Sequence, residues 1–244
     1  MAIGVGVVGP SGSGKSTSTE HLKDVFYIQA YNKPLPFSHN HKRIRLNKPE
    51  DKEPYTDKKV YDKVKSAVKD DVTILSTDDF QIIAQTIKYI SEERPEILRV
   101  VLDDWQYVFA AAFMQKVHVK GYEKWSVFAK QIWDSAKLPE NTRDNLIIYY
   151  LTHPDEFTDS DGVRHQKMKT IGKLMDSMIT LDGMFSIVIY SGVEISKEKG
   201  TEYLLYTQTS GNDTCKTPKG MFDEKKIENN LVIVDDAIRK FYYL

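Results

Sequence analysis

The segment Gly9-Pro10-Ser11-Gly12-Ser13-Gly14-Lys15-Ser16-Thr17 satisfies the pattern G-x-x-x-x-G-K-S/T at every fixed position, and it constrains the rest of the chain more than any other stretch. A loop of this kind works between a strand and a helix. Both are expected here: Ile3 to Val8 is apolar and short enough for a buried strand, and Ser18 to Val25 reads as a helix. The glycines let main-chain N–H groups close around phosphate oxygens, and the start of the following helix adds positive potential. Lys15 then reaches the β and γ phosphates, and the Ser16 hydroxyl is a ligand for Mg²⁺.

A second signal lies far downstream. Ile97-Leu98-Arg99-Val100-Val101-Leu102-Asp103-Asp104 is an apolar run that ends in two carboxylates. Such a strand is expected beside the P-loop strand, with Asp103 holding Mg²⁺ directly or through water and Asp104 orienting the attacking water. Between the two signals, Val25 to Ala30 is β-prone and is stopped by Pro34 and Pro36. An insertion around 38–70 follows, in which lysines and arginines outnumber acids. It reads either as a phosphate-backbone contact or as a solvated face. Pro49 and Pro54 argue against one long helix within it. Val72 to Ser76 reads as a strand, with Thr77 or Asp78 capping a helix through Ile82, Ile83, Thr86, Ile87 and Ile90.

Beyond Asp104, Trp105, Val108, Phe109, Ala112 and Phe113 share one helical face. Tyr122, Trp125, Ala129, Ile132, Trp133 and Ala136 share another. Aromatic spacing of this kind suits core packing better than base stacking. Leu146 to Leu151 reads as a buried strand closing on Thr152-His153-Pro154, where His153 is either a sensor of the γ phosphate or a structural histidine. The polar segment Phe157 to Lys169 is expected to be a surface loop leading into a helix through Ile171, Leu174, Met175 and Met178. Phe185 to Ser191 and Tyr203 to Thr209 read as late strands joined by Ser196-Lys197-Glu198-Lys199-Gly200. Leu231 to Val234 and Ala237 to Tyr243 form a last strand or helix over the core.

Composition closes off several classes. The chain has 244 residues, 41% of them hydrophobic and 28% charged, which is enough for a sizeable core and argues against disorder. With 34 basic and 35 acidic side chains the net charge is −1, so any polyanion site must be local. The lone Cys215 supports neither an internal disulfide nor a zinc site, which fits a reduced cytoplasm. No apolar run approaches about 18 residues, and Met1 leads straight into the P-loop strand, so neither a spanning helix nor a signal peptide is expected.

In its order of elements the chain resembles the RecA-like ATPases of tailed bacteriophages, short recombination or single-strand-annealing proteins. The residues that carry the likeness are the P-loop, Leu102-Asp103-Asp104-Trp105-Gln106-Tyr107, Leu151-Thr152-His153, Lys169-Thr170-Ile171-Gly172-Lys173, and Thr207-Gln208-Thr209 through Lys216-Thr217-Pro218-Lys219-Gly220-Met221-Phe222. The resemblance implies an α/β fold: a single RecA-like P-loop domain over residues 1–244, with a mostly parallel central sheet flanked by helices and late antiparallel strands. It implies an ATP- and Mg²⁺-dependent ATPase in the host cytoplasm that acts on single-stranded DNA in recombination, annealing or replication. Such a protein assembles as a ring or filament and can work beside a single-strand-binding protein. By the same resemblance Lys216 and Lys219 are expected to reach the nucleotide of a neighbouring subunit. One position departs from the family. The strand after the P-loop helix leads into Gln29-Ala30-Tyr31-Asn32-Lys33 and offers no acid to activate water, so either Asp104 serves or ATP binding itself is the switch. Two other classes remain open on the residues alone: a small-molecule or nucleotide kinase, and an interaction protein that binds ATP with little turnover.

Overall fold

The computed structural model describes residues 1–47, 56–115, 117–118, 121, 123–170 and 179–244. The chain opens with β1 (Ile3–Val8), β2 (Val25–Gln29) and β3 (Lys42–Arg45), then α1 (Asp57–Ala67), β4 (Val72–Ser76) and α2 (Phe80–Glu93). Next come β5 (Arg99–Asp103), α3 (Trp105–Gln115), α4 (Glu123–Ala136) and β6 (Ile147–Thr152). The last part holds β7 (Pro154–Thr158), β8 (Arg164–Met168), β9 (Ile187–Ser196), β10 (Gly200–Tyr206), β11 (Lys226–Glu228) and α5 (Leu231–Tyr242).

Among the described residues, nine strands form one sheet in the order β11-β10-β9-β1-β6-β5-β2-β4-β3. From β9 to β3 every neighbouring pair is parallel, while β10 runs antiparallel to both β9 and β11. The expected α/β class, with a mostly parallel sheet and late antiparallel strands, is what the chain forms. One detail differs. The acid-tipped β5 does not lie beside β1; β6 pairs with both and separates them.

Strand alternation explains how the sheet is covered on both faces. Even-numbered residues such as Phe26, Ile28, Val100, Leu102, Ile148, Tyr150 and Val188 pack toward the layer that contains α1 to α4. Odd-numbered ones such as Val5, Val7, Tyr27, Val101, Tyr149, Leu151 and Ile189 pack with Leu231, Val234 and Ile238 of α5. All six residues of β6 are buried, as a strand covered on both faces requires.

Several sequence expectations are corrected. The helix expected over Ser18 to Val25 is only a 3-10 turn, Thr17–Thr19, and β2 begins at Val25. The cause is local: the Ser18 hydroxyl donates to the Lys15 carbonyl (2.6 Å) and the Thr19 hydroxyl to the Ser16 carbonyl (2.7 Å). They engage carbonyls that helix propagation uses. The cap of α2 is neither Thr77 nor Asp78 but Asp79, whose carboxylate accepts from the Gln81 and Ile82 N–H groups. Trp133 stands on the exposed side of α4, and Phe128 takes its place in the core. The segment read as a surface loop folds back as the β7–β8 hairpin, closed by Asp159, which accepts from the Asp161 and Val163 N–H groups. The tail is a helix. Pro49, Pro54 and Tyr122, together with the helix expected through Ile171, Leu174, Met175 and Met178, lie outside the described residues.

Candidate nucleotide site

The carboxyl ends of β1, β5, β6 and β2 converge, so the loops that follow them share one cleft, where open parallel sheets bind ligands. The cleft is about 320 Å³ and is lined by the P-loop residues Gly12, Gly14, Lys15 and Ser16 together with Lys33, Asp104, Tyr107 and His153. The registers Val8↔Thr152, Leu102↔Tyr150 and Gln29↔Asp103 bring these residues together.

The P-loop is braced from behind. Ser13 and Ser191, one residue past the stretch of β9 that pairs with β1, share a hydroxyl hydrogen bond of 2.6 Å. The Asn229 amide donates to the Gly14 carbonyl at 3.0 Å. Two glycines are required by this packing. A Cβ on Gly9 would stand 2.2 Å from the Ser191 hydroxyl, and one on Gly14, where φ is +88°, would stand 2.5 Å from the Asn229 amide. Lys15 is buried, and its ammonium donates to the carbonyls of Gly9 (2.6 Å) and Pro10 (2.9 Å). Burial lowers its pKa to about 8, against the pull of Asp104 and Asp103.

Ser16 and Asp103 meet directly: the Ser16 hydroxyl donates to Asp103 Oδ1 at 2.8 Å. The Gln29 amide donates to Asp103 Oδ2, also at 2.8 Å. The two regions that the sequence marked out separately are therefore one site. Asp104 follows with φ at +60°, a backbone conformation that costs energy in a non-glycine residue and concentrates at functional positions. Lys33 forms an ion pair with Asp104 Oδ2, and His153 Nε2 lies 3.7 Å from Asp104 Oδ1. For Lys33, burial opposes the charge, but the hydrogen bond to Asp104 and the field of Asp103 outweigh it, so its pKa is raised. Burial, reinforced by Lys15, lowers the pKa of His153, with Asp104 opposing.

The residues present fit a magnesium nucleotide. Among the described residues no group of three or more His, Cys, Asp or Glu side chains stands ready to hold a metal alone. Mg²⁺ characteristically needs no such cage, taking one or two protein oxygens and completing its shell with water and phosphate. Ser16, in the cleft lining, and Asp103, bonded to it from behind, supply protein oxygens of that kind. The 3-10 turn after Ser16 is too short to contribute much of a helix dipole. The positive groups at the cleft are instead the ammoniums of Lys15 and Lys33.

The expected site residues divide clearly. Gly9 to Thr17, Asp103, Asp104 and His153 come together. Lys216 and Lys219 do not line the cleft: the main chain of Lys216 is paired with Val188 near the start of β9, and Lys219 is exposed on the loop between β10 and β11. Sequence reasoning missed Lys33, Tyr107 and the amide of Gln29. The only available signal for them was that β2 ends four residues before Lys33, which is informative once β2 is known to neighbour β5.

No protein-family model and no curated protein matches the sequence. Among solved structures, the chain is similar to the pilus retraction motor PilT with bound ADP, at 11% identity and a TM-score of 0.36. The match covers 99% of this chain and 53% of that one, so the chain spans about half the length of the protein it matches.

Proposed function

We propose that this chain is a P-loop nucleoside triphosphatase that binds ATP with Mg²⁺ and hydrolyses it. The observation that carries the reading is the Ser16–Asp103 hydrogen bond inside the braced P-loop cleft, because it sets both protein oxygens expected of a magnesium nucleotide site side by side. Ser16 and Asp103 would hold magnesium, which would supply charge neutralisation for the phosphates. The P-loop main chain and Lys15 hold the phosphates. Asp104 orients the attacking water and takes its proton, and His153, beside Asp104, senses the terminal phosphate. The Gln29 amide fixes Asp103 in the orientation that meets Ser16.

The sequence resemblance to phage RecA-like proteins extends the proposal to single-stranded DNA as the effector, with a homo-oligomer in which Lys216 and Lys219 serve a neighbouring subunit. Phosphate release by purified protein, measured with and without single-stranded DNA and with nucleosides as acceptors, tests both levels. Turnover raised by DNA supports the full reading. Magnesium-dependent turnover indifferent to DNA supports the triphosphatase alone, and a phosphorylated nucleoside replaces both with a kinase.

A further inference from the structure

Lys33 is a residue of the cleft wall to which no motif assigns a role, and its surroundings are specific. Its main chain is fixed, since the Arg43 guanidinium donates to the Lys33 carbonyl at 2.8 Å while also bonding Ser76 (2.9 Å) and Asn32 (3.2 Å). Its side chain is 44% exposed, whereas that of its partner Asp104 is only 10% exposed. A half-exposed ammonium therefore faces a largely buried carboxylate whose own residue has φ at +60°.

Resting on the nucleotide reading above, we propose that Lys33 is a second phosphate-binding cation, which exchanges its ion pair with Asp104 for the terminal phosphate of a bound nucleoside triphosphate and thereby frees Asp104. Lys33 and Lys15 line the same cleft, so a triphosphate lying along the P-loop comes within reach of both ammoniums. The terminal phosphate carries more charge than a carboxylate and offers three oxygens, so it competes well for a compact ammonium. The loop also needs this cation more than a P-loop followed by a long helix would, because Thr17–Thr19 supplies almost no dipole.

The exchange couples binding to chemistry. With Lys33 on the terminal phosphate, Asp104 Oδ2 accepts a proton from water as the water oxygen bonds to the γ phosphorus. The bond from that phosphorus to the β–γ bridging oxygen breaks, and its electron pair leaves with the diphosphate. A diphosphate lacks the group that draws Lys33 away, so the ion pair with Asp104 re-forms on product release. Lys33 thus makes the cleft distinguish triphosphate from diphosphate.

The test is a titration of wild-type, Lys33→Met and Lys33→Arg proteins with Mg-ADP and with the magnesium complex of the β,γ-imido analogue of ATP. Wild type is expected to prefer the triphosphate analogue. Lys33→Met should lose that analogue by about tenfold or more, the loss of one charge-assisted contact, while its ADP affinity stays at the wild-type value. Lys33→Arg should keep the preference, since it keeps the charge. Equal weakening of both ligands in Lys33→Met would mark a merely structural lysine and overturn the exchange, as would no change in either. If wild type binds neither ligand, the nucleotide reading itself fails; if it binds both and Lys33→Met matches it, only the exchange fails.

Discussion

At the scale of single residues, the cleft is a set of opposed pairs: Ser16 with Asp103, Lys33 with Asp104, and His153 beside Asp104. Ser16→Ala removes the hydroxyl that bonds Asp103 and that the proposed function gives to the metal. It is expected to abolish the gain in ATP affinity that Mg²⁺ brings while leaving metal-free binding nearly unchanged; titrations with and without chelator read the difference. Asp104→Asn keeps the shape but neither the charge nor the proton acceptor. Steady-state phosphate release should fall by roughly a hundredfold or more, with Mg-ATP affinity kept within a few fold. Loss of binding in this variant, with Asp103→Asn harmless, would mean that the two acids have exchanged roles.

At the scale of elements, the P-loop keeps its shape because β9 and the segment after β11 press on its back. Gly14→Ala forces a Cβ into a left-handed position and into the Asn229 amide. A loss of more than about 1 kcal/mol of unfolding free energy is expected. Nucleotide affinity should drop with it, and denaturant titration alongside ligand binding checks both. The strands were legible before the fold was known, because β1, β5 and β6 are apolar runs covered on both faces. The turn after the P-loop was not: Ser18 and Thr19 bond carbonyls three residues back, and the apolar periodicity that suggests a helix does not register that competition. The β7–β8 hairpin was read as a loop because most of its positions are polar on both faces, so no alternation marks it. Lys33 was missed because its importance comes from sheet order, with β2 beside β5, and sheet order leaves no mark on the local sequence.

At the scale of the whole molecule, the two faces of the sheet are separate cores, and α5 is the described helix that packs on the second. Asp235 of α5 ties that layer to the sheet: it accepts from Arg99 at the start of β5, from Tyr149 in β6 at 2.9 Å, and from Arg239 one turn on at 2.8 Å. Asp235→Ala would leave two guanidinium groups and a buried hydroxyl without this partner. A loss of about 3–5 kcal/mol in denaturant unfolding is expected. Burial alone would raise the pKa of Asp235, but Arg99 and Arg239 outweigh it and hold it below the usual carboxylate value. The stability this contributes is fully present above the unfolded-state pKa of about 3.9 and is lost as pH falls through the lower folded-state value. The difference in thermal midpoint between wild type and Asp235→Asn should therefore be constant near neutrality and shrink in acid. Among the described residues no helix is long and apolar enough to cross a membrane.

Every role proposed for the cleft depends on one binding event, and calorimetric titration of Mg-ATP into wild-type and Lys15→Ala proteins measures it most directly. Wild type is expected to bind saturably, at one site per chain and more tightly with magnesium than without it. Lys15→Ala should show no heat of binding while its circular dichroism and unfolding midpoint stay close to those of wild type. A wild-type protein that takes up no nucleotide in magnesium, or a Lys15→Ala protein that binds as tightly as wild type, contradicts it.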